Sequence, residues 1–448
     1  MKISTINPAT EERLASYELL SQAKLGSVLE KSEKAFQKWR EVGVNERGYF
    51  IGKIGRSLSK NKINLAKTIT EEMGKPIKES IAEIEKCALL CSYLSKNIAG
   101  FLEKEKVKTE YKKSYVRFDP LGKILGIMPW NFPFWQVFRF SVPALCAGNS
   151  AILKHSGITT GCSLKIEKIF EENIGSGIFQ SVITDSRGIE SIISKVNGVS
   201  LTGSVETGRK IGALAGKNIK KIVLELGGSD PFIVLKDADL NFACISAVKA
   251  RTINSGQSCI AAKRFIVVKE RFNEFSENII KIISKLKIGN PTEFKTDIGP
   301  MARRDLVLKL EKQVKKALKK GAKILYQGKE KFSRGFYFNP AVIYTNKKSV
   351  GEETFGPLFE IIKVENDIAA VKEANKTNFG LGASLWTNNI KKAEKYAEYI
   401  DAGVVFVNDV VKSDPRLPFG GIKDSGVGRE LSRYGLLEFC NIKTIVVK

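Results

Sequence analysis

Apolar residues recur at three- and four-residue steps from about Gly26 to Glu103, through Leu29, Ala35, Phe36, Trp39, Phe50, Ile54 and Leu58. That spacing predicts a helical opening, interrupted at Gly74-Lys75-Pro76 where glycine and proline break the period. Between Val107 and Lys123 the pattern turns polar and alternating, through Tyr111, Ser114, Tyr115, Val116, Arg117 and Phe118, and predicts an exposed strand or arm. From Ile124 to Leu235 short apolar runs alternate with amphipathic stretches. The runs Ile124–Met128, Ala151–Leu153, Phe179–Ile183, Val199–Thr202 and Ile222–Leu226 read as strands. The stretches Trp135–Cys146, Gly161–Glu172, Gly188–Val196 and Val205–Ala215 read as helices between them. Strand and helix in alternation imply a parallel sheet covered on both faces, a doubly wound α/β layout suited to a nucleotide.

A second α/β series follows. Helices are predicted at Leu240–Arg251, Phe272–Leu286, Arg304–Lys320 and Ala369–Asn375, with strands at Phe265–Val268, Phe359–Val364 and Val404–Val407. The last apolar run, Thr444-Ile445-Val446-Val447, has no sequential partner. It is expected to pair with the polar arm near residue 115, within or between subunits.

The chain has 448 residues, enough for two or three domains, with 43% hydrophobic and 27% charged residues. Its N-terminus has no apolar signal core and no run is long enough to span a membrane, so a cytoplasmic protein with no membrane partner is expected. Seven scattered cysteines and a single histidine support neither a disulfide framework nor a metal site. The net charge of +25 raises the question of nucleic acid, but the lysines alternate with glutamates on helix faces and no aromatic RNA-binding run is present. A solvated, lysine-rich surface of the kind seen in thermophile proteins accounts for the charge, and no specific nucleic-acid partner is expected.

Candidate chemistry begins at Cys259, in the run Asn254-Ser255-Gly256-Gln257-Ser258-Cys259. A glycine-containing loop lets backbone approach a reacting carbonyl, and the cysteine's own amide can donate to an oxyanion. A buried structural cysteine is the competing reading. With one histidine in the chain, activation would fall to a carboxylate, a dipole or a cofactor. Glu225 closes the apolar strand Leu224-Glu225-Leu226-Gly227-Gly228, at the strand end where α/β sheets bind ligands; it reads as a general base or as a turn cap. Asn131 stands between two prolines in Pro129-Trp130-Asn131-Phe132-Pro133, either as an oxyanion donor or in a rigid corner. Leu201-Thr202-Gly203-Ser204-Val205-Glu206-Thr207-Gly208 is a strand, a glycine turn and a helix start, a weak pyrophosphate signal.

In order along nearly the whole chain, these segments resemble the aldehyde dehydrogenase superfamily. Glu352-Glu353-Thr354-Phe355-Gly356-Pro357 and Pro418-Phe419-Gly420-Gly421 add to the match. Residues 254–264 and 412–421 look most like the short bacterial and archaeal succinate-semialdehyde dehydrogenases. The resemblance implies a Rossmann-type cofactor domain (1–104 and 121–225), an α/β catalytic domain (226–430) and a small β oligomerisation arm (105–120 and 431–448). It implies that Cys259 attacks an aldehyde, Asn131 and the Cys259 amide hold the oxyanion, and Glu225 activates the hydrolytic water. NAD or NADP would be bound by Trp130, Lys154, Gly157, Gly203, Ser204, Gly208, Leu226, Glu353 and Phe355. Gly157 stands where NAD-preferring relatives carry an acid, so acceptance of NADP is expected. His155 is expected in a loop. Arg139, Trp135 and Ser413 match positions that hold the substrate, with Arg139 two helical turns after Asn131 and poised for a distal carboxylate. A second family arginine is replaced by Ile253, with Arg251 two residues back. The implied reaction is oxidation of succinate semialdehyde to succinate in a homodimer or homotetramer. Glyceraldehyde, lactaldehyde or aminobutyraldehyde are alternative substrates. A CoA-acylating relative, or a nucleic-acid-binding protein on a dead dehydrogenase fold, would be alternative functions.

Overall fold

The computed structural model describes residues 2–345 and 352–448. Its helical opening is α1 (Gln22–Trp39), α2 (Val44–Met73) and α3 (Ile77–Phe101), preceded by a hairpin of Lys2–Ile6 and Arg13–Glu18 that the apolar pattern did not mark. Gly74 ends α2 in the left-handed region at φ 79°, and Pro76 precedes α3, so the break falls where those two residue types are tolerated. The next helix, α4 (Trp135–Cys146), is buried along its whole length. Its first turn is held by Glu83 of α3, whose Oε1 accepts from the amides of Phe134 (2.8 Å) and Trp135 (2.9 Å). Glu83 in turn forms an ion pair with Lys75, which is fully buried and lies over the Phe132 ring. A buried carboxylate at a helix N-terminus is favoured by the unpaired amides there, and the lysine removes the cost of its charge.

The first large sheet has six strands in the order Gly426–Val427, Lys221–Glu225, Gly198–Thr202, Lys123–Met128, Ser150–His155, Phe179–Ser181. The last five are parallel, and each matches a run marked in the sequence within a few residues. Lys123–Met128 is first in the chain and pairs on one side with the second strand and on the other with the fourth, so the winding reverses beside it. A crevice opens at such a reversal, outside the carboxyl ends of the strands. Here those ends lead into Pro129–Asn131 and Gly203–Ser204.

The second sheet has seven strands in the order Lys323–Gln327, Ala341–Thr345, Leu358–Val364, Arg264–Val268, Pro231–Val234, Gly382–Trp386, Val404–Val407, parallel except for the first. Sequence pattern marked three of them. Pro231–Val234 is only four residues long and follows directly on a glycine turn, so it merges with the preceding apolar run. The helix expected at Phe272–Leu286 begins earlier and spans Lys269–Ile283.

The third sheet is the arm. Cys440–Val447 pairs antiparallel with Lys113–Pro120, with Ile445 opposite Tyr115, and Glu105–Lys106 flanks it. The expected partner of the C-terminal strand is therefore met within the chain. Gly426–Val427 crosses from the 226–430 range into the first sheet, where Gly426 pairs with Glu225. Through it the segment after Ser413 is tied to the carboxyl edge of the cofactor-side sheet.

Candidate active site

The loop before Cys259 carries three successive residues at positive φ: Asn254 (51°), Ser255 (54°) and Gly256 (77°). Two of these are non-glycine, at about 1 to 3 kcal/mol each, so the surroundings must hold them. They do so with a buried polar lattice. Asn254 Nδ2 donates to Asn131 O (2.7 Å) and Gln257 O (3.1 Å), and Ser255 Oγ donates to Gly299 O (3.0 Å). A Cβ on Gly256 would lie 2.3 Å from the Gly356 carbonyl carbon, so only glycine lets these two backbones meet. Arg251, fully buried, donates to Ala262 O, to Thr354 O and Oγ1 and to Gly356 O. It locks the cysteine loop to the Glu353 loop and is not directed at a ligand.

Asn131 precedes α4 in the Pro-bracketed turn, so it does not share a helix face with Arg139; α4 starts only at Trp135. Its side chain still reaches the cysteine loop, where Nδ2 donates to Gln257 O at 3.1 Å. That bond uses one of the two amide hydrogens and orients the other.

Two cavities meet at Cys259. The first, of about 490 Å³, is bordered by Trp130, Asn131, Gly203, Ser204, Leu226 and Phe355, together with Thr202, Gly227 and Glu353. Trp130 and Phe355 meet edge to face at 5.8 Å. Ser204 caps the helix Val205–Lys217, and Gly203 has no neighbour nearer than 3.7 Å to where a Cβ would stand. Thr202 Oγ1 is buried in this wall without a partner. A helix N-terminus, an open glycine and an orphaned hydroxyl on one crevice fit the phosphates and ribose of a nicotinamide dinucleotide. Glu353 accepts from Gly228 N (3.1 Å) and lies 3.5 Å from Lys263 Nζ. Lys263, which the sequence reading passed over, donates to Cys259 O at 2.5 Å and holds that residue's backbone.

The second cavity, of about 310 Å³, carries Lys86, Trp135, Arg139, Ser413 and Phe419 as well as Cys259. Gln136 borders both cavities, 2% exposed, with its Oε1 unpartnered. Arg139 is at the wall, but its guanidinium pairs with buried Glu430 and lies over the Phe419 ring at 4.7 Å. The cation expected for a distal carboxylate thus has one carboxylate beside it, while its Nη2 is buried without a hydrogen-bond partner among the described residues. Among the described residues two cations of this cavity have no carboxylate partner, the exposed Lys249 and the half-buried Lys86, which donates to Ser413 Oγ at 2.8 Å.

Burial pushes the Cys259 thiol up to about 12, against the pull of Arg139 and Lys263. Burial also drives Glu225 well above the usual carboxylate range; Arg139 opposes this and Glu430 adds to it. Burial thus disfavours the charged form of each group. Glu225 borders neither cavity. It sits behind the wall with Oε1 unpartnered, near Gly420.

The structure brings Trp130, Asn131, Gly203, Ser204, Leu226, Glu353 and Phe355 onto one cavity, and Trp135, Arg139 and Ser413 onto the other. Besides Glu225, three candidates lie outside both. Lys154 ends a neighbouring strand, Gly157 opens the turn after it, and Gly208 packs on Leu226, whose side chain a Cβ there would overlap at 2.5 Å. His155, expected in a loop, is a buried strand residue. Its Nε2 meets Pro133 O at 2.9 Å and burial pulls it down to about 4, so it is a neutral clamp on the Asn131 turn.

A doubly wound sheet whose crevice leads to a cysteine shared with a second cavity fits a nucleotide-linked dehydrogenase. Residues 1–445 match the family model described as the aldehyde dehydrogenase family, and the chain belongs to that family. It is 42% identical to a probable NADP(+) succinate-semialdehyde dehydrogenase of Synechocystis sp., over 99% of both chains. It is 40% identical to the succinate semialdehyde dehydrogenase [NAD(P)+] Sad of Escherichia coli, over 98% of this chain and 97% of that one. A crystal structure of succinic semialdehyde dehydrogenase from Streptococcus pyogenes with NADP+ superposes with a TM-score of 0.97 at 33% identity, over 99% of each chain.

Proposed function

We propose that this protein oxidises succinate semialdehyde to succinate with NADP+ or NAD+, on Cys259. The observation that carries this reading is the meeting of two unlike cavities at one thiol: a glycine- and helix-terminus-lined crevice on one side, an aromatic and cationic pocket on the other. Trp130, Gly203, Ser204, Leu226, Glu353 and Phe355 hold the cofactor's nicotinamide half, and Lys154 and Gly157 the adenosine ribose. A nicotinamide bound there supplies the hydride acceptor that takes the thiohemiacetal on Cys259 to a thioester.

The chain's own residues do the rest. Asn131 Nδ2 and the Cys259 amide donate to the oxyanion formed when the sulfur adds to the aldehyde carbon. Glu225, when ionised, takes a proton from water for thioester hydrolysis, its burial raising its proton affinity above that of an ordinary carboxylate. Residues 1–104 with 121–225 serve the cofactor, residues 226–430 the chemistry, and 105–120 with 431–448 assembly. Cys440–Val447 is an edge strand with Ile442, Val446 and Val447 exposed, which supports a homodimer or homotetramer. No helix of the described residues is long and apolar enough to cross a membrane, consistent with work in the cytoplasm.

The test is a panel of aldehydes against both cofactors, with and without CoA. Succinate semialdehyde should give the highest kcat/KM, with free succinate formed in the absence of CoA. A strict CoA requirement, or a preference for neutral aldehydes, would overturn the proposal.

A further inference from the structure

An oxyanion donor is effective only when its hydrogen is already aimed as the carbonyl arrives. Asn131 is aimed by its bond to Gln257 O, whereas the Cys259 amide lies in a turn that no helix or strand fixes. We infer that Lys263 is a positioning residue for that amide: its ammonium holds the Ser258–Cys259 peptide by the carbonyl and so directs the N–H at the opposite end. The inference rests on the reading of Cys259 as the nucleophile and of its amide as an oxyanion donor.

Three observations carry it. Lys263 is 2% exposed, and its Nζ donates to three carbonyls of one turn: Cys259 O at 2.5 Å, Ser258 O at 3.2 Å and Ala261 O at 3.3 Å. An ammonium has three hydrogens, so this turn takes all of them, and Lys263 sits as a bound cation would in a cage of backbone oxygens. Second, Ser258 O and the Cys259 N–H are the two ends of one peptide unit. No peptide of the described residues is cis, so that N–H points opposite to its carbonyl and away from the ammonium. Third, the Cys259 amide has no acceptor among the described residues, while Cys259 borders both cavities.

The energetics agree. A cation on a peptide carbonyl polarises the unit and makes its N–H a stronger donor. Ser258 O also accepts from Ala261 N at 3.2 Å. That neutral bond keeps the turn folded without Lys263, but it brings no charge and leaves Cys259 O untethered. Glu353, 3.5 Å from Nζ, balances the buried ammonium. The rival role for Lys263 is to stabilise the thiolate, since it also opposes the effect of burial on the Cys259 thiol. A lysine acting in that way would serve every reaction of the sulfur, with or without an oxyanion.

The experiment compares two reactions of Cys259 in the full-length protein and in Lys263→Met and Lys263→Arg, each followed across pH to its plateau. In acylation by p-nitrophenyl acetate the thiolate sulfur bonds to the ester carbon, an oxyanion forms and p-nitrophenolate leaves. In alkylation by iodoacetamide the thiolate displaces iodide and no oxyanion forms. Lys263→Met should lower the acylation constant by about 10- to 100-fold and the alkylation constant far less. Lys263→Arg, which keeps a charged donor, should recover part of the acylation. Should Lys263→Met fail to fold, Lys263→Gln is read by the same ratio. Equal losses in both reactions would assign Lys263 to the thiol or to the loop as a whole and overturn the inference, as would no loss in either. Acylation that persists in Cys259→Ala would overturn the nucleophile reading, and the inference with it. Neither reaction uses an aldehyde, so the identity of the aldehyde does not enter the result.

Discussion

The two cavities that meet at Cys259 are built by different means. The cofactor side combines the side chains of Trp130, Glu353 and Phe355 with backbone: the turn after Thr202, the Gly227-Gly228 turn and the N-terminus of the helix Val205–Lys217, these three at the carboxyl edge of one parallel sheet. The substrate side is side chains drawn from α3, α4 and the segment around Ser413, elements far apart in sequence. Backbone amides and glycines recognise phosphate and ribose through features that the sheet geometry itself supplies. Side chains recognise a particular tail, and each can change without disturbing the sheet. The first wall therefore defines the family's shared cofactor, and the second defines the aldehyde.

The thiol shared by the two walls carries the largest expected effect. Cys259→Ala should lower turnover by about a thousandfold or more while dinucleotide binding, followed by protein fluorescence, persists. Loss of cofactor binding along with activity would mean that the walls are not independent. Glu225→Gln comes next. Steady-state turnover should fall by about a hundredfold or more, yet stopped-flow absorbance should still show a burst of reduced cofactor, because the base serves the hydrolytic half. Unchanged turnover would remove Glu225 from the mechanism.

Gly157→Asp tests the cofactor wall by itself. If Gly157 faces the adenosine ribose as proposed, a carboxylate there should lower kcat/KM for NADP relative to NAD by about tenfold or more and leave KM for succinate semialdehyde unchanged. A change in aldehyde KM would break the separation of the two sides. The smallest effect is expected from Glu430→Gln. Glu225 accepts a proton from water only when ionised, so activity should rise with pH through its elevated pKa. Removing the neighbouring negative charge of Glu430 favours ionisation, and the acidic limb of the pH–rate profile should move to lower pH. A move to higher pH would show that Arg139, once unpaired, no longer acts on Glu225.

The helices around the first sheet were legible because their apolar positions repeat at a helical period; Trp135–Cys146 and Val205–Lys217 begin where the pattern says they should. Strands such as Pro231–Val234 and Gly382–Trp386 were not, because short buried strands beside glycines lack any period to read. At the site, Cys259, Asn131 and Glu353 stand in local motifs whose residue types announce their chemistry. Lys86 stands in none. It is one lysine among many on an amphipathic helix, and only the packing of α3 against α4 turns it toward the pocket.

By itself the chain's order of residues determined the alternation of strands and helices and the glycine-bounded turns, and singled out Cys259 as the candidate nucleophile, since all of these depend on neighbours within a few positions. Tertiary structure alone decided which charges remain free. It brought Glu430 to Arg139 and Ser413 to Lys86, in each case across more than one element. A cation's role depends on whether a carboxylate has already reached it, and that is a property of distances in space.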